Sequence, residues 1–487
     1  MRLGRASFIG AFSKNTWIRD ARKNGSTDGI AILNEEGNLP EICTPKGKEL
    51  AETLRGVLEE LEFDRLNREL QHELFGADYA WAPYPIISES EVDYSTIRER
   101  LELYVQGLGP MMTARQKAGF LFFAFSKSLR RKELEVLFGE EGRHRINDFL
   151  DAGLFVETSD GRIRMNGLFL LSKRLGREGN GAVIYVLADS KYCDDPEQKR
   201  SERVYIGLDS YALLNRLPNQ GPFSGTGIDM GSGSGIQLIA ALKLFPDIER
   251  MVGYEIDRRA VNVSKFNACL NGVDDRATIV ENEKDLLIAL EPNGKQVDFA
   301  VSNPPYMPVP EFIEVNPDDA QTLSKAKALS IVGNESAPRI SLKRIWPASG
   351  WGGADGMSVL RPMLETLFPL IKPSGKIVIF AEFAGKARGP TKIVEFIEAQ
   401  RGWEHRWQPL KAPPYISGGA WHPVLPFLPA QFMARSVMAQ IIGGYPELAQ
   451  PLYRDILMKY AEKILDAYQR LDITHFHKGF VHLTRQS

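Results

Sequence analysis

Along the chain the spacing of apolar positions shifts from a helical period to short unbroken runs and back, and these shifts predict the order of elements. Residues 1–48 show no clear period. Leu54, Leu58, Leu61, Leu66, Leu70 and Leu74 then recur near helical spacing with charges between them, which predicts a helix or helix pair with one buried face. A proline-containing connection, YAWAPYPIISES (79–90), leads to a further helix carrying Ile97, Leu101, Tyr104 and Leu108. Beyond residue 111 the pattern sharpens. ARQKAGFLFFAFSKS is a helix with a broad apolar face, RRKELEVLFG a second that stops at Gly139, and GRHRINDFLDAGLF a third closed by Gly153. ETSDGRIRMNGLFLLS predicts a hairpin turning at Ser159, Asp160 and Gly161. Val183 to Leu187 reads as a strand, and YIGLDSYALLNRL (205–217) as a helix capped by Asp209 or Ser210.

From residue 225 strands alternate with helices. GTGIDMGSGSGIQLIAALKLF (225–245) reads as strand, glycine-rich turn and helix; RMVGYEIDRRAV (250–261) contains a second strand and ATIVE (277–281) a third. The run from Val297 to Val301 has the length and composition of a buried parallel strand. After a proline-containing stretch, Lys376–Ala381 is a fifth strand, TKIVEFIEAQ a helix and WEHRWQPL a sixth strand. Leu452, Ile456, Tyr460, Ile464, Tyr468 and Leu471 mark one amphipathic helix, and FHKGFVHLTR (476–485) a last strand. Such alternation predicts an α/β fold with a largely parallel sheet.

Composition narrows the class without naming a function. The chain has 487 residues, 43% hydrophobic and 25% charged, enough for several ordinary domains. Its formal net charge of −2 supplies no global basic field, so any nucleic-acid contact must come from a local patch. Cys43, Cys193 and Cys269 lie far apart without metal-ligand spacing, which fits a reducing cytoplasm. The first residues lack a secretory apolar core, and no apolar stretch long enough to span a bilayer is present. His422, His475, His477 and His482 suggest a metal cluster or, as the simpler reading, incidental residues at a strand tip; no metal is expected.

Two stretches carry candidate chemistry. Asn303-Pro304-Pro305-Tyr306 follows the strand that begins at Val297, at the end where open α/β sheets bind ligands. The prolines hold Asn303 and Pro304 extended. The Asn303 side-chain carbonyl and the Pro304 backbone carbonyl then offer two acceptors, with the Tyr306 ring as a flat wall. A planar NH2 fits that space, each hydrogen on an acceptor and its π-face on the ring. The alternative is a plain turn. In the second stretch, Gly231, Gly233 and Gly235 allow a tight turn and let a ligand approach the backbone. Dinucleotide enzymes carry a related loop, but the G-S-G-S-G spacing and Asp229 ahead of it differ from theirs. Glu255 closes the second strand, where a carboxylate can take both hydroxyls of a ribose.

Together, D-x-G-S-G-S-G, the later acidic residue and Asn-Pro-Pro-Tyr resemble class I S-adenosylmethionine-dependent methyltransferases of the branch that methylates amide or exocyclic amino nitrogens. That branch includes glutamine methyltransferases of release factors and adenine or ribosomal RNA base methyltransferases. The resemblance spans about 205–405 and implies a Rossmann-like seven-stranded sheet with S-adenosyl-L-methionine as cofactor. It implies that Asp229, Gly231, Ser232, Gly233 and Gly235 hold the methionine side of the cofactor, Glu255 its ribose and Asp285 its adenine. Asn303, Pro304, Pro305 and Tyr306 would hold the acceptor nitrogen. The elements of 109–178 resemble a winged-helix module, whose Arg143, Arg145, Arg130 and Arg131 are candidate nucleic-acid contacts. The expected organisation is a mostly helical region (1–108), the winged-helix-like module (109–178) and the methyltransferase domain (179–487). Within that domain 307–351 would form a lid, 411–473 an inserted subdomain and 478–485 the last strand. A nucleic-acid base, in RNA or DNA, is the leading acceptor. A glutamine or other amide in a protein or small metabolite is the alternative, and a catalytically inactive binding module the third reading.

Overall fold

The computed structural model describes residues 45–68, 112–176, 181–189, 204–334, 336–347, 350–410, 415–417, 420–422, 427–445 and 447–487. The predicted connection 79–90 and the helix through Leu108 lie outside the described residues. Helix α1 (Pro45–Glu60) buries Leu50, Leu54 and Leu58 on one face, as the leucine spacing requires. Next come α2 (Ala114–Phe125), β1 (Leu129–Arg130), α3 (Arg131–Arg143, broken at Gly139), α4 (Arg145–Asp151), β2 (Phe155–Glu157) and β3 (Arg162–Met165). The last two form the expected hairpin, and β1 joins it in the order β1-β3-β2.

One predicted hairpin is two. Asn166 and Gly167 (φ +64°) turn the chain after Met165, so β4 (Leu168–Arg174) leaves the small sheet and pairs with β5 (Val183–Asp189) instead. This second hairpin crosses the 178/179 boundary. It is also docked by side chains. Asn267 and Asn271, one turn apart on a later helix, take the backbone N–H of Leu187 and Tyr185 and donate back to the carbonyls of the same residues. The two amides thus stand in for a neighbouring strand along the open edge of β5.

The larger sheet is built from β6 (Gly225–Met230), β7 (Ile248–Tyr254), β8 (Ala277–Val280), β9 (Val297–Ser302), β13 (Ile371–Gly385), β14 (Trp403–Pro409) and β18 (His475–Arg485). They lie in the order β14-β18-β13-β9-β6-β7-β8, with a short β17 (Phe427–Pro429) added to β18. The five strands from β13 to β8 are parallel; β18 runs antiparallel between β13 and β14. This is the Rossmann-like methyltransferase order, with an eighth, short strand. Helices α5 (Leu208–Arg216), α6 (Ile236–Leu244), α7 (Arg258–Leu270), α8 (Glu283–Leu290), α10 (Leu360–Leu370) and α11 (Thr391–Glu398) accompany the strands. Apolar runs make the parallel strands buried, and Gly227 admits the Phe299 ring where any Cβ would collide with it.

Two insertions complete the chain. The first, after β9, holds the small sheet β10 (Phe312–Glu314), β12 (Arg339–Ser341) and β11 (Ile331–Val332) and helix α9 (Pro317–Leu323). The second, between β14 and β18, holds the hairpin β15 (Tyr415–Ser417) and β16 (Ala420–His422), then α12 (Ala430–Gly444), α13 (Pro451–Lys459) and α14 (Ala461–Arg470). The single amphipathic helix expected over 452–471 is therefore two. The break falls at Tyr460, whose hydroxyl donates to Asp319 of the first insertion and accepts the Asn316 N–H.

Candidate active site

The carboxyl ends of β7, β6 and β9 lie side by side, with Met230 opposite Tyr254 and Asp229 opposite Val301. The glycine turn, Glu255 and Asn303 therefore emerge together at one edge of the sheet. Ser302 ties two of these ends by donating from Oγ to the Met230 carbonyl at 2.6 Å.

The glycine turn is shaped by left-handed backbone. Gly231, Gly233 and Gly235 have φ of +73°, +52° and +78°. A Cβ on Gly231 would meet nothing within 4 Å, and one on Gly233 would meet only the Tyr205 carbonyl oxygen at 4.0 Å. The open space lies in front of Gly231 and Gly233, where a ligand can approach the backbone closely. Asp229, 1% exposed, accepts the Leu238 N–H on one oxygen at 3.2 Å while its other oxygen is buried without a partner. Burial pushes its carboxyl up to about 7. Glu255 accepts the Gly233 and Asp257 N–H groups, one on each oxygen, both at 2.9 Å. Desolvation again wins over those bonds and lifts its carboxyl to about 7. The Ser232 and Ser234 hydroxyls of the turn are buried and unpartnered as well. Orphaned polar side-chain atoms around a turn with open space in front of it fit a polar, cationic ligand carrying a ribose.

Asp257 is the N-cap of α7, accepting the Arg259 and Ala260 N–H groups, and so serves the helix. Asp285 follows the carboxyl end of β8, beside that of β7. It is exposed on the first turn of α8, where its carboxylate takes the Asn282 amide at 2.6 Å and its N–H is capped by Asn282. A carboxylate at the third helical position serves the helix terminus, which is what local spacing produces there.

At the tip of β9 the Asn303 side-chain nitrogen lies 3.3 Å from Ser210 Oγ, and its carbonyl oxygen is buried with no partner. The Tyr306 hydroxyl donates to Asp209 at 3.1 Å. Asp209 and Ser210 were expected to cap α5; Gly207 occupies the N-cap position, its N–H donates to Ser210 and the Ser210 N–H to Asp209, and both side chains also reach the tetrapeptide. Behind Tyr306, Gly352 and Gly356 pack so closely that a Cβ on either would lie within 2.8 Å of its backbone. Met307 pairs with the strand-like segment at Trp351, exchanging bonds with Gly350 and Gly352.

The basic residues of the small module divide in two. Arg145 is held by Glu49 of α1 and by Asp148, and Arg143 lies 3.8 Å from Glu135. Lys46 of α1 also pairs with Asp148, so α1 covers the helix that was expected to face a nucleic-acid groove. Arg130 and Arg131 instead line an open cleft of about 530 Å³ with Lys132, Asp160, Gly161 and Arg162. Among the described residues no helix is long and apolar enough to cross a membrane.

Residues 205–336 match the family model of the methyltransferase small domain. A release factor glutamine methyltransferase of Geobacter sulfurreducens is 24% identical over 211 residues, 43% of this chain and 63% of that protein. A ribosomal protein L11 methyltransferase of Tolumonas auensis is 41% identical over 76 residues, 16% of this chain and 23% of that protein. A 4-amino-L-phenylalanine/4-methylamino-L-phenylalanine methyltransferase of Streptomyces pristinaespiralis is 24% identical over 199 residues, 40% of this chain and 54% of that protein. The chain thus spans less than two thirds of the length of each of these relatives. The strand order is that of a Rossmann-like α/β sheet, and the match over 205–336 supports S-adenosylmethionine as the cofactor of this region.

Proposed function

We propose that the protein is an S-adenosylmethionine-dependent N-methyltransferase whose acceptor is a planar amide nitrogen, in the first instance a glutamine-type side chain of a protein. The observation that carries this is the unpartnered, buried carbonyl oxygen of Asn303, one strand away from an open glycine turn. A buried acceptor left unsatisfied is costly, and an amide N–H is its natural complement. The activities for which these relatives are named, on release factor glutamine and on ribosomal protein L11, move the balance from a nucleic-acid base toward a protein.

In this reading Asp229, Gly231, Ser232, Gly233 and Gly235 seat the amino-acid side of the cofactor, and each Glu255 oxygen keeps a lone pair for a ribose hydroxyl. S-adenosylmethionine supplies an electrophilic methyl on a sulfonium. The protein's part is to present the nitrogen. Asn303 and the Pro304 carbonyl take its two hydrogens, Pro305 keeps the segment extended and the Tyr306 ring sets its plane. As the nitrogen becomes tetrahedral, the two oxygens stabilise the charge that develops on its hydrogens. One proton then passes to water, so no strong base is required.

Tritiated methyl transfer from S-adenosylmethionine into cell extract, fractionated into protein, nucleic acid and small molecules, tests this. Label is expected in protein and should be released as methylamine by strong acid, because an N-methyl amide hydrolyses to that product. Label absent from protein overturns the acceptor. A nucleic-acid acceptor is the second reading, and the cation-lined cleft at Arg130, Arg131, Lys132 and Arg162 favours it. Binding of RNA or DNA that weakens steeply with salt, together with label in nucleic acid, would put it first.

A further inference from the structure

We propose that Asp209 and Ser210 are positioning residues that set the orientation of the acceptor tetrapeptide. The proposal rests on the reading of Asn303 to Tyr306 as the acceptor site. An asparagine amide has nearly the same shape either way round, but one end accepts hydrogen bonds and the other donates. A site that grips an NH2 needs the oxygen outward. Ser210, 2% exposed, fills one lone pair with the Gly207 N–H and the other with the Asn303 amide nitrogen, each at 3.3 Å. That arrangement leaves the Asn303 oxygen in the crevice. Asp209, 8% exposed, takes the Ser210 N–H on one oxygen at 2.8 Å and the Tyr306 hydroxyl on the other.

Both ends of the tetrapeptide are therefore held from a single helical turn, and the same segment reaches the cofactor turn. Tyr205, a few residues earlier, places its carbonyl oxygen 4.0 Å from the Cβ position of Gly233. A Cβ on Gly207 between them would overlap the Tyr205 hydroxyl, so the ring packs against that glycine. Asp209 and Ser210 act through Asn303 and Tyr306 and touch no reacting atom in this scheme. Their substitution should change turnover and leave cofactor binding alone.

Two measurements test this in the full chain. Selective asparagine 15N labelling reports the Asn303 side-chain NH2, assigned with Asn303→Ala. Ser210→Ala should speed its exchange with solvent and shift its resonance, and Ser210→Thr should restore both. An unchanged signal overturns the positioning role whatever the enzyme does. For catalysis, Ser210→Ala should lower methyl transfer into extract about ten- to a hundredfold, with S-adenosylmethionine affinity by calorimetry unchanged. In an Asn303→Ala background the same substitution should have no further effect, and Asp209→Ala should be silent in a Tyr306→Phe background. Additive losses overturn the proposal. A shifted resonance with full turnover leaves Ser210 a holder of Asn303 and removes Asn303 from the acceptor site, so the two failures are told apart.

Discussion

Asp229 and Glu255 make the empty site sensitive to pH in a direction opposite to that of most carboxylates. Both are raised in the folded protein by loss of water, Asp229 from 3.8 and Glu255 from 4.5, each to about 7. Between pH 4 and 7 the folded chain therefore binds more protons at these positions than the unfolded chain, and stability falls as pH rises through that window. The shift at Asp229 corresponds to about 4 kcal/mol when fully ionised, on the order of 10 °C in melting midpoint for a domain of this kind. Glu255 adds in the same direction, but the two interact, so their contributions are not simply summed. On the proposed seating, S-adenosylmethionine would bring an ammonium and a sulfonium to one carboxylate and ribose hydroxyls to the other, and all of these favour the ionised forms. Its stabilising effect should accordingly grow with pH. The assay is thermal unfolding from pH 5.5 to 8.5 with and without saturating cofactor. Expected are an apo midpoint that declines through pH 7 and a cofactor-induced rise several degrees larger at pH 8 than at pH 5.5. Asp229→Asn should already exceed the native apo protein at pH 5.5, by a margin that widens up to about pH 7, and should lose the cofactor response. A cofactor response that is flat with pH, or an Asp229→Asn midpoint that tracks the native one throughout, would refute the reasoning.

Three further outcomes follow from the geometry. Asn303→Ala should cost roughly a hundred- to a thousandfold in turnover, as for loss of one preorganised polar contact, while calorimetry finds cofactor affinity intact; equal losses in both would mean that the roles are misassigned. Gly233→Val must place a branched side chain at φ +52° in front of the turn, so cofactor binding should vanish, and unaltered binding would count against the turn as the cofactor seat. Arg259, 2% exposed, donates to Asp189 at 2.9 Å and to the Asn166 carbonyl, joining α7 to the second hairpin. Arg259→Met alone should destabilise by about 3–5 kcal/mol in urea unfolding because it removes the charged partner of buried Asp189, whereas adding Asp189→Asn, which keeps an acceptor for the Val204 N–H, should recover part of the loss.

What the sequence made readable was whatever one segment decides alone. The glycine turn, the Asn-Pro-Pro-Tyr tip and the alternation of apolar runs with helices are local chemistry, and each stands where its residues predicted. Asp285 shows the reverse: an acidic residue after the third strand looks like a cofactor contact, yet at the third position of a helix the nearby Asn282 claims it first. Arg145 reads as part of a basic face because one of its partners is not its neighbour. Glu49, which neutralises Arg145, lies 96 residues away. Asp209 and Ser210 passed as helix caps for the same reason, since the contacts that redirect them span 97 and 93 residues.

The two insertions follow the same logic on a larger scale. Neither can bury its own apolar surface. The first offers strands of two or three residues and a seven-residue helix; the second offers helices whose inward faces, Met433, Val437, Ile441, Ile464 and Tyr468, have no sheet of their own. Together they form one apolar core, in which Ile313, Val315, Leu323, Ile340 and Trp346 meet those helices. Polar anchors lock the union: Tyr445 to the Ile345 carbonyl, Glu447 to the Lys327 and Ala328 N–H groups, and Tyr468 to the Pro308 carbonyl, two residues beyond Tyr306. Met307 and Trp351 fasten the same body to the tetrapeptide itself. A loop inserted only as filler would not need a partner from the far end of the chain to fold. This body is tied to Met307 and Pro308, immediately after Tyr306, so a change in how it packs is transmitted to that residue.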